Sequence, residues 1–174
     1  GERATDKAGN AVAMSGDGTT VIIGSPENDD SGSFTGQARV YRLEDDEWVQ
    51  LGQDLNGTSP FDGFGFPVVA NQDGSIVSIG AVVSDANGVD RGYTRVFRWD
   101  GTTWQRLGAD ILGEANGDGA SPQPGELISL SGDGYTIAIG GASNDGNGNN
   151  SGHARIFQFD GNDWTQLGDD LDGL

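Results

Sequence analysis

The sequence predicts an all-β protein built from three tandem copies of one four-stranded unit. Trp48, Trp104 and Trp164 lie 56 and then 60 residues apart, and several arginines, glycines and aspartates keep the same spacing. A repeat of this length is typical of stacked supersecondary units. The 31 glycines indicate many turns, and Asp-Gly pairs separate short runs of β-prone residues. We therefore expect strands throughout, with at most one turn of helix.

The second copy, residues 57–112, illustrates the unit in chain order. Residues 66–71 and 75–81 are β-prone runs joined by Asp73-Gly74, which predicts a first hairpin. A polar loop follows, and residues 93–99 and 104–108 then form a second hairpin around the turn at 100–103. The first copy covers residues 1–56, and the third covers 113–174 with the start of a further repeat. The turn at 44–47 in the first copy is unusual because it lacks glycine.

The first two strands of each copy are apolar or small at nearly every position. An antiparallel sheet with one wet face would instead alternate, so both faces are expected to be buried. Four-stranded sheets stacked face to face are the blades of a β-propeller, and a linear solenoid is the alternative. Closed propellers have about four to eight blades. We therefore expect a partial propeller that belongs to a larger one or to an oligomer, and whose apolar flanks make the isolated chain aggregate or stay partly unfolded.

Composition excludes several classes of function. The net charge is −18 and only nine residues are Lys or Arg, which argues against binding nucleic acid. No apolar run is long enough to insert into a membrane. There is no cysteine and only one histidine, His153, so neither thiolate chemistry nor a Ser-His-Asp triad is predicted. From this we expect a protein that is not an enzyme.

Short glycine-containing motifs recur at the start and end of the first hairpin. They are Phe64-Gly65 before the first strand, and Ile79-Gly80-Ala81 with its counterparts at 23–26 and 139–142 after the second. In these motifs the chain resembles FG-GAP repeats, the blades of the integrin α-subunit propeller. The resemblance implies an extracellular or cell-surface location. The tight turns at 15–18, 71–74 and 131–134 stand where many FG-GAP blades carry a calcium loop, so that site is expected to be absent. The second hairpin also resembles kelch blades, an alternative with the same architecture.

The polar loops between the second and third strands are candidate calcium sites. Their side-chain oxygens alternate along the chain and can converge on a hard cation. The alternative is that these residues supply turn geometry and hydrogen bonds to the backbone. The candidate ligands are Asp85, Asn87 and Asp90 in the second copy and Asp145, Asn147 and Asn149 in the third.

An arginine recurs in the third strand of every copy, as Arg39, Arg95 and Arg155. A guanidinium among apolar neighbours requires a carboxylate, so we expect a structural Arg–Asp pair in each blade. The predicted partners are Asp29, Asp85 and Asp145, or Asp6, Asp62 and Asp118. Trp48, Trp104 and Trp164 are predicted to be packing anchors, with a sugar-stacking platform as the alternative.

Features that occur only once are candidates for specific contacts. Phe61 and Phe64 crowd the linker before the second copy, and Pro122 and Pro124 extend the linker before the third. Loops at these places face partners in propellers. Asn56 and Asn149 begin glycosylation sequons in predicted loops.

Together these features predict a non-catalytic extracellular or surface module that serves in adhesion or assembly. Its expected partners are another protein or further blades of the same parent chain. The alternative is a glycan-binding or glycan-processing propeller that uses loop carboxylates and an exposed aromatic ring.

Overall fold

A computed structural model describes residues 3–82, 92–114, 128–142, 144, 148 and 151–173. In this part of the chain the secondary structure consists of fifteen strands in three sheets, without helix. The prediction of an all-β fold with three four-stranded antiparallel blades is confirmed. No helix in the described ranges is long and apolar enough to cross a membrane.

Each sheet contains four strands and a short fifth one. The first sheet comprises β1 Ala11–Met14, β2 Thr20–Ser25, β3 Gln37–Glu44, β4 Glu47–Gln50 and β5 Leu55–Asn56. The second comprises β6 Phe64–Ala70, β7 Ile76–Ala81, β8 Tyr93–Trp99, β9 Trp104–Arg106 and β10 Ile111–Leu112. The third comprises β11 Ile128–Leu130, β12 Thr136–Gly141, β13 His153–Phe159, β14 Trp164–Gln166 and β15 Leu171–Asp172. We call these sheets blades 1, 2 and 3.

The third strand of each blade pairs with two later segments on the same edge. In blade 1 the end of β3 pairs with β4, and its beginning pairs with β5 through Gln37 opposite Asn56. Blades 2 and 3 repeat this arrangement. The residues between the fourth and fifth strands therefore return to the beginning of the third strand. This brings Asp54 to Arg39 and Asp110 to Arg95, whereas Asp170 lies beside His153.

The hairpin turns follow the sequence signals. The carboxylate of Asp17 accepts hydrogen bonds from the Ser15 hydroxyl and the Thr19 backbone N–H, which lower the pKa of Asp17. The turn without glycine also closes a hairpin, because Asp45 and Asp46 adopt φ values of 48° and 66°. Aspartate tolerates this left-handed conformation better than most residues.

Blade 2 is packed on both faces. Val77 and Ile79 on one face join a core with Ile22 and Val40 of blade 1. Ile76 lies on the other face, in a core with blade 3. All six residues of β7 are buried, as the doubly apolar pattern predicts.

The recurring tryptophans join adjacent blades. Trp104 donates its indole N–H to the carbonyl oxygen of Leu51 at 2.7 Å, and Trp164 donates to Leu107 at the same distance. Each ring thus bonds to the blade before its own. Trp48 has no such acceptor among the described residues and is exposed.

Blade 1 presents an apolar face that no described residue covers. Val12 is 64% exposed, whereas Val68, at the same place in blade 2, is 5% exposed because it packs against blade 1. The open face contains an apolar hollow of about 440 Å³ lined by Met14, Val21, Ile23, Tyr41 and Trp48. This face is the repeat counterpart of the blade 2 surface that packs on blade 1.

Candidate functional site

The recurring arginines of blades 1 and 2 are held by aspartates from the loop after the fourth strand. Arg39 binds Asp54 through Nε and Nη2 at 2.9 and 3.0 Å, and Arg95 binds Asp110 with both distances 2.8 Å. These partners correct the sequence prediction, which chose aspartates nearer the start of each unit. Of those, Asp29 accepts a hydrogen bond from the Phe34 backbone N–H instead.

The Arg95 guanidinium is buried against two aromatic rings of blade 2. The Arg95 guanidinium carbon is 4.8 Å from the centroid of the Tyr93 ring and 5.4 Å from that of Phe64. Burial alone would raise the pKa of Asp110, but its hydrogen bonds to Arg95 and the nearby positive charges outweigh burial and lower that pKa. Asp110 also contacts Arg106. This pair is a structural lock.

The third copy departs from this pattern. Arg155 donates from Nη2 to the Leu112 carbonyl oxygen of blade 2 at 2.8 Å and lies over the Phe157 ring. Its Nε is buried without a hydrogen-bond partner, and no carboxylate pairs with Arg155 among the described residues. The predicted partners of Arg155, Asp118 and Asp145, lie outside the described residues, so an Arg–Asp pair in blade 3 stays a prediction. Asp170, at the position of Asp54 and Asp110, lies next to His153 instead.

Glu114, His153 and Asp170 form a compact cluster at the start of β13. The Nδ1 atom of His153 is 3.4 Å from a Glu114 carboxylate oxygen and 3.6 Å from an Asp170 oxygen. One potential ligand atom from each of the three residues lies within 4.8 Å of the others. The histidine side chain is only 3% exposed, and its Nδ1 makes no hydrogen bond. Such a buried, unpaired nitrogen between two carboxylates is unusual for a purely structural residue.

Neighbouring amides hold both carboxylates in place. Asn144 donates from Nδ2 to Glu114 at 3.2 Å, and Gln166 donates from Nε2 to Asp170 at 2.6 Å. Gln166 bonds the Asp170 oxygen that does not face His153. A Cβ at Gly141 would lie 2.8 Å from His153 Nε2, so the glycine leaves room for the imidazole.

His153 and Arg155 line a cleft between blades 2 and 3. The cleft has a volume of about 60 Å³, and its walls include Pro67, Tyr93 and Ile139. This is room for about four water molecules. We call it the blade 2–3 cleft. It can admit a reacting group and water, while the remainder of a larger ligand would extend outward.

The structure separates the residues predicted for partner contact. Phe64 is fully buried and stacks on Tyr93, with centroids 6.1 Å apart, so the prediction that it faces a partner is wrong. Phe61 is exposed and stacks on exposed Phe34, with ring centroids 5.9 Å apart and planes 13° apart. Asn56 is exposed, and its side-chain oxygen accepts a hydrogen bond from Gln37. Glycosylation at Asn56 stays a prediction.

Several predicted positions lie outside the described residues. These are the candidate calcium ligands Asp85, Asn87, Asp90, Asp145, Asn147 and Asn149, and the linker prolines Pro122 and Pro124.

The sequence reasoning missed the Glu114–His153–Asp170 cluster, although a signal for it was present. His153 occupies the place of Gln37 and Tyr93 in the other copies, while an aspartate recurs at the place of Asp170. A residue that changes next to a recurring carboxylate marks the third copy as different in chemistry.

Comparisons with known proteins support the fold. No protein-family model matches the chain, and no curated protein matches it. Among solved structures, it is similar to a candidate 6-phosphogluconolactonase from Bacteroides uniformis, with 15% identity and a TM-score of 0.56. It is also similar to a hypothetical selenium-binding protein from Sulfolobus tokodaii, with 10% identity and a TM-score of 0.51. These matches cover 92% and 94% of this chain but only 40% and 42% of the solved chains.

These matches correct two expectations from the sequence. The similar structures are named as a lactonase and a selenium-binding protein, which contradicts the predictions of a non-catalytic adhesion or assembly module and of a protein without enzymatic activity. At these identities the likeness concerns the fold alone. The chain thus consists of three blades of a β-propeller-type fold and spans about two fifths of the length of the solved structures it resembles.

Proposed function

We propose that this chain contributes the catalytic cleft of a propeller enzyme that hydrolyses a small anionic ester or lactone. One observation carries the proposal: His153 and Arg155 line the same cleft, and each has a buried side-chain nitrogen without a hydrogen-bond partner. Buried donors and bases in this state are ready to bind a ligand. The equivalent residues in blades 1 and 2 are engaged in other side-chain contacts.

The chemistry follows from His153 and Arg155, which line the cleft, and from the two carboxylates beside His153. The cluster of His153, Glu114 and Asp170 removes a proton from water, and the water oxygen forms a bond to the carbonyl carbon of the substrate. Arg155 stabilises the negative oxygen that develops on that carbon. The ester C–O bond then breaks, and the departing alkoxide receives the proton. A lactone and water thereby become one hydroxy acid.

The proposed substrate class is a sugar lactone that carries a negative charge. One similar solved structure is named as a candidate 6-phosphogluconolactonase, and we extend that chemistry to this chain as part of the proposal. The small cleft volume suits entry of the lactone end only.

Lactone hydrolysis provides the test. Acid release from gluconolactone and from its 6-phosphate would be measured above the spontaneous rate, using the wild-type chain and the variants His153→Gln and Arg155→Met. His153→Gln introduces the residue that blade 1 has at the same repeat position, Gln37, and should lower kcat/KM by about 100-fold or more. Arg155→Met should lower it by about 100-fold.

Arg39→Met is the matched control, because Arg39 occupies the same repeat position in blade 1, away from the cleft. It should leave the rate nearly unchanged in folded protein. Wild-type rates equal to the spontaneous rate, or unchanged rates in both cleft variants, would refute the proposal.

A second candidate function, glycan binding, has its own supporting observation. Phe34 and Phe61 expose two nearly parallel rings on the surface, an arrangement suited to stacking against a sugar. Fluorescence or NMR titration with an oligosaccharide panel would test it. Binding that is unaffected by Phe61→Ala would remove this candidate.

We also propose kinship with FG-GAP repeats. Gly65 of the Phe-Gly pair has φ of 114°, and a Cβ at Gly24 would overlap its carbonyl oxygen. The two motif glycines thus allow adjacent blades to approach closely. The extracellular or surface location stays a prediction, to be checked by fractionating cells that produce the protein.

A further inference from the structure

We propose that Glu114, His153 and Asp170 bind a divalent transition-metal ion, with Zn²⁺ as the best fit. This inference deepens the proposed function, because it rests on the same cluster and names how water would be activated there. The binding of the ion can nevertheless be measured without any substrate.

The distances match a metal site. Zn²⁺ bonds to nitrogen and carboxylate oxygen are about 2.0–2.2 Å long. Two ligand atoms of a tetrahedral site are therefore about 3.3–3.6 Å apart. His153 Nδ1 lies 3.4 Å from the Glu114 oxygen and 3.6 Å from the Asp170 oxygen. An ion can be placed among these atoms with small side-chain movements.

The buried imidazole gives independent support. Its Nδ1 points at both carboxylates but makes no hydrogen bond, although the side chain is almost completely buried. An ion at this point would bond to that nitrogen and offset the repulsion between the two carboxylates. The alternative is a protonated His153 that forms ion pairs with both acids, and this is an outcome that the test distinguishes.

Hydrogen bonds from neighbouring side chains also hold the two carboxylates in position, as expected around a metal site. Asn144, itself buried, donates to Glu114, and Gln166 donates to the Asp170 oxygen that faces away from the histidine. Hydrogen bonds of this kind orient metal ligands and commonly change affinity by 10- to 100-fold. Glu114 is half exposed, so the cluster is reachable from solvent.

The ligand set indicates the ion and its role. One imidazole and two carboxylates suit Zn²⁺ or a similar transition metal, whereas Ca²⁺ takes oxygen ligands. Three protein ligands leave a fourth position open, which is the pattern of catalytic rather than structural zinc. When bound, such an ion lowers the pKa of a coordinated water.

The other two blades show why the site is confined to blade 3. At the equivalent places, Asp54 and Asp110 are each bound by two nitrogens of an arginine. The residues in the place of the histidine are Gln37 and Tyr93. In blade 3 the recurring aspartate, Asp170, therefore faces a histidine, His153.

Metal binding to the full 174-residue chain tests the inference. Purified protein would be stripped with a chelator and titrated with Zn²⁺ by calorimetry, at a salt concentration that screens non-specific attraction to the acidic surface. Substitution with Co²⁺ would be followed by visible absorption, which reports tetrahedral coordination. We expect one tightly bound ion per chain.

Two variants test the proposed ligands, and a third is the control. Glu114→Gln, at a half-exposed position, and His153→Gln should each weaken Zn²⁺ binding by about 100-fold or more. Asp54→Asn, the blade 1 counterpart of Asp170, should leave the stoichiometry and affinity unchanged. Near-UV circular dichroism would show that each variant is folded, and Glu114→Gln keeps the test valid if His153→Gln does not fold.

Each outcome has a separate meaning. A wild-type chain that binds no more Zn²⁺ than the Glu114→Gln variant would overturn the metal site and leave an imidazolium ion pair. Hydrolysis that persists after chelation would overturn the role of the ion in activating water while leaving the proposed function intact. Tight, cluster-dependent binding without lactone hydrolysis would support the site and refute the proposed reaction.

Discussion

Replacing Arg95 by methionine should lower the free energy of unfolding by about 3 kcal/mol. Methionine retains much of the length and apolar stem of arginine but removes the charge. Asp110, whose side chain is mostly buried, would lose both hydrogen bonds of 2.8 Å. Breaking a buried pair from one side typically costs 3–5 kcal/mol. We expect a loss at the lower end of this range, because Arg106 still contacts Asp110 in the variant.

The repeat supplies matched controls. The Arg39 side chain is 18% exposed, against 6% for Arg95, and its partner Asp54 is also more exposed. Arg39→Met should therefore cost only about 1 kcal/mol. Arg155→Met, which breaks no carboxylate pair among the described residues, should cost about 1 kcal/mol through its bond to Leu112.

The assay is urea unfolding followed by tryptophan fluorescence, with linear extrapolation to water. Trp104 lies in the blade 1–2 core together with Phe64 and Tyr93, the two rings that contact Arg95, and therefore reports that interface. Coincident transitions by fluorescence and circular dichroism would establish that the blades unfold together.

The effect should depend on pH with a defined sign. Asp110 has a lowered pKa in the folded protein, so its pairing stabilises the fold above the unfolded-state pKa of about 3.9. That contribution is lost as the pH falls through the folded-state pKa. The difference between wild type and Arg95→Met should therefore be greatest near neutral pH and shrink below about pH 4. A loss no larger than that of Arg39→Met, or a difference constant down to pH 3, would refute the reasoning.

Three further predictions concern packing between blades. Gly24→Ala should lower the free energy of unfolding by about 3 kcal/mol, because the added Cβ would overlap the facing backbone of blade 2. Gly132→Ala is the control: there is space for its Cβ, so thermal melts should show almost no change in stability. Trp104→Phe should cost about 2 kcal/mol through its lost inter-blade hydrogen bond, whereas Trp48→Phe should change urea stability little; equal losses would contradict the anchor role. The isolated chain should self-associate through its open apolar face, and Val12→Lys should shift light scattering toward monomer; a monodisperse wild-type monomer would exclude this.

The blades themselves could be predicted from sequence because their signals are local. An Asp-Gly turn and two β-prone runs define a hairpin within about 15 residues, and runs apolar on both faces indicate burial between sheets. Even the glycine-free turn at Asp45 and Asp46 closed the expected hairpin. Recurrence in three copies made each weak signal stronger.

The partner of each recurring arginine could not be predicted in the same way. In a chain with 27 acidic residues many aspartates compete for the same guanidinium. Asp110 reaches Arg95 only because the chain crosses back between the fourth and fifth strands. The burial of Phe64 is likewise not visible in the sequence, since a linker position becomes core only once blades 1 and 2 pack together.

The sequence by itself determined the four main strands of each blade and their hairpin pairing, because hairpin formation depends on residues close along the chain. The short strands β5, β10 and β15 were found only in the structure. Only the tertiary structure decided the chemistry, because Glu114, His153 and Asp170 are separated by 39 and then 17 residues. They meet because the linker into blade 3, the start of β13 and the return to β15 converge at one end of the blade. The repeat places an aspartate there in every copy, and stacking of the blades decides whether an arginine or a histidine lies beside it.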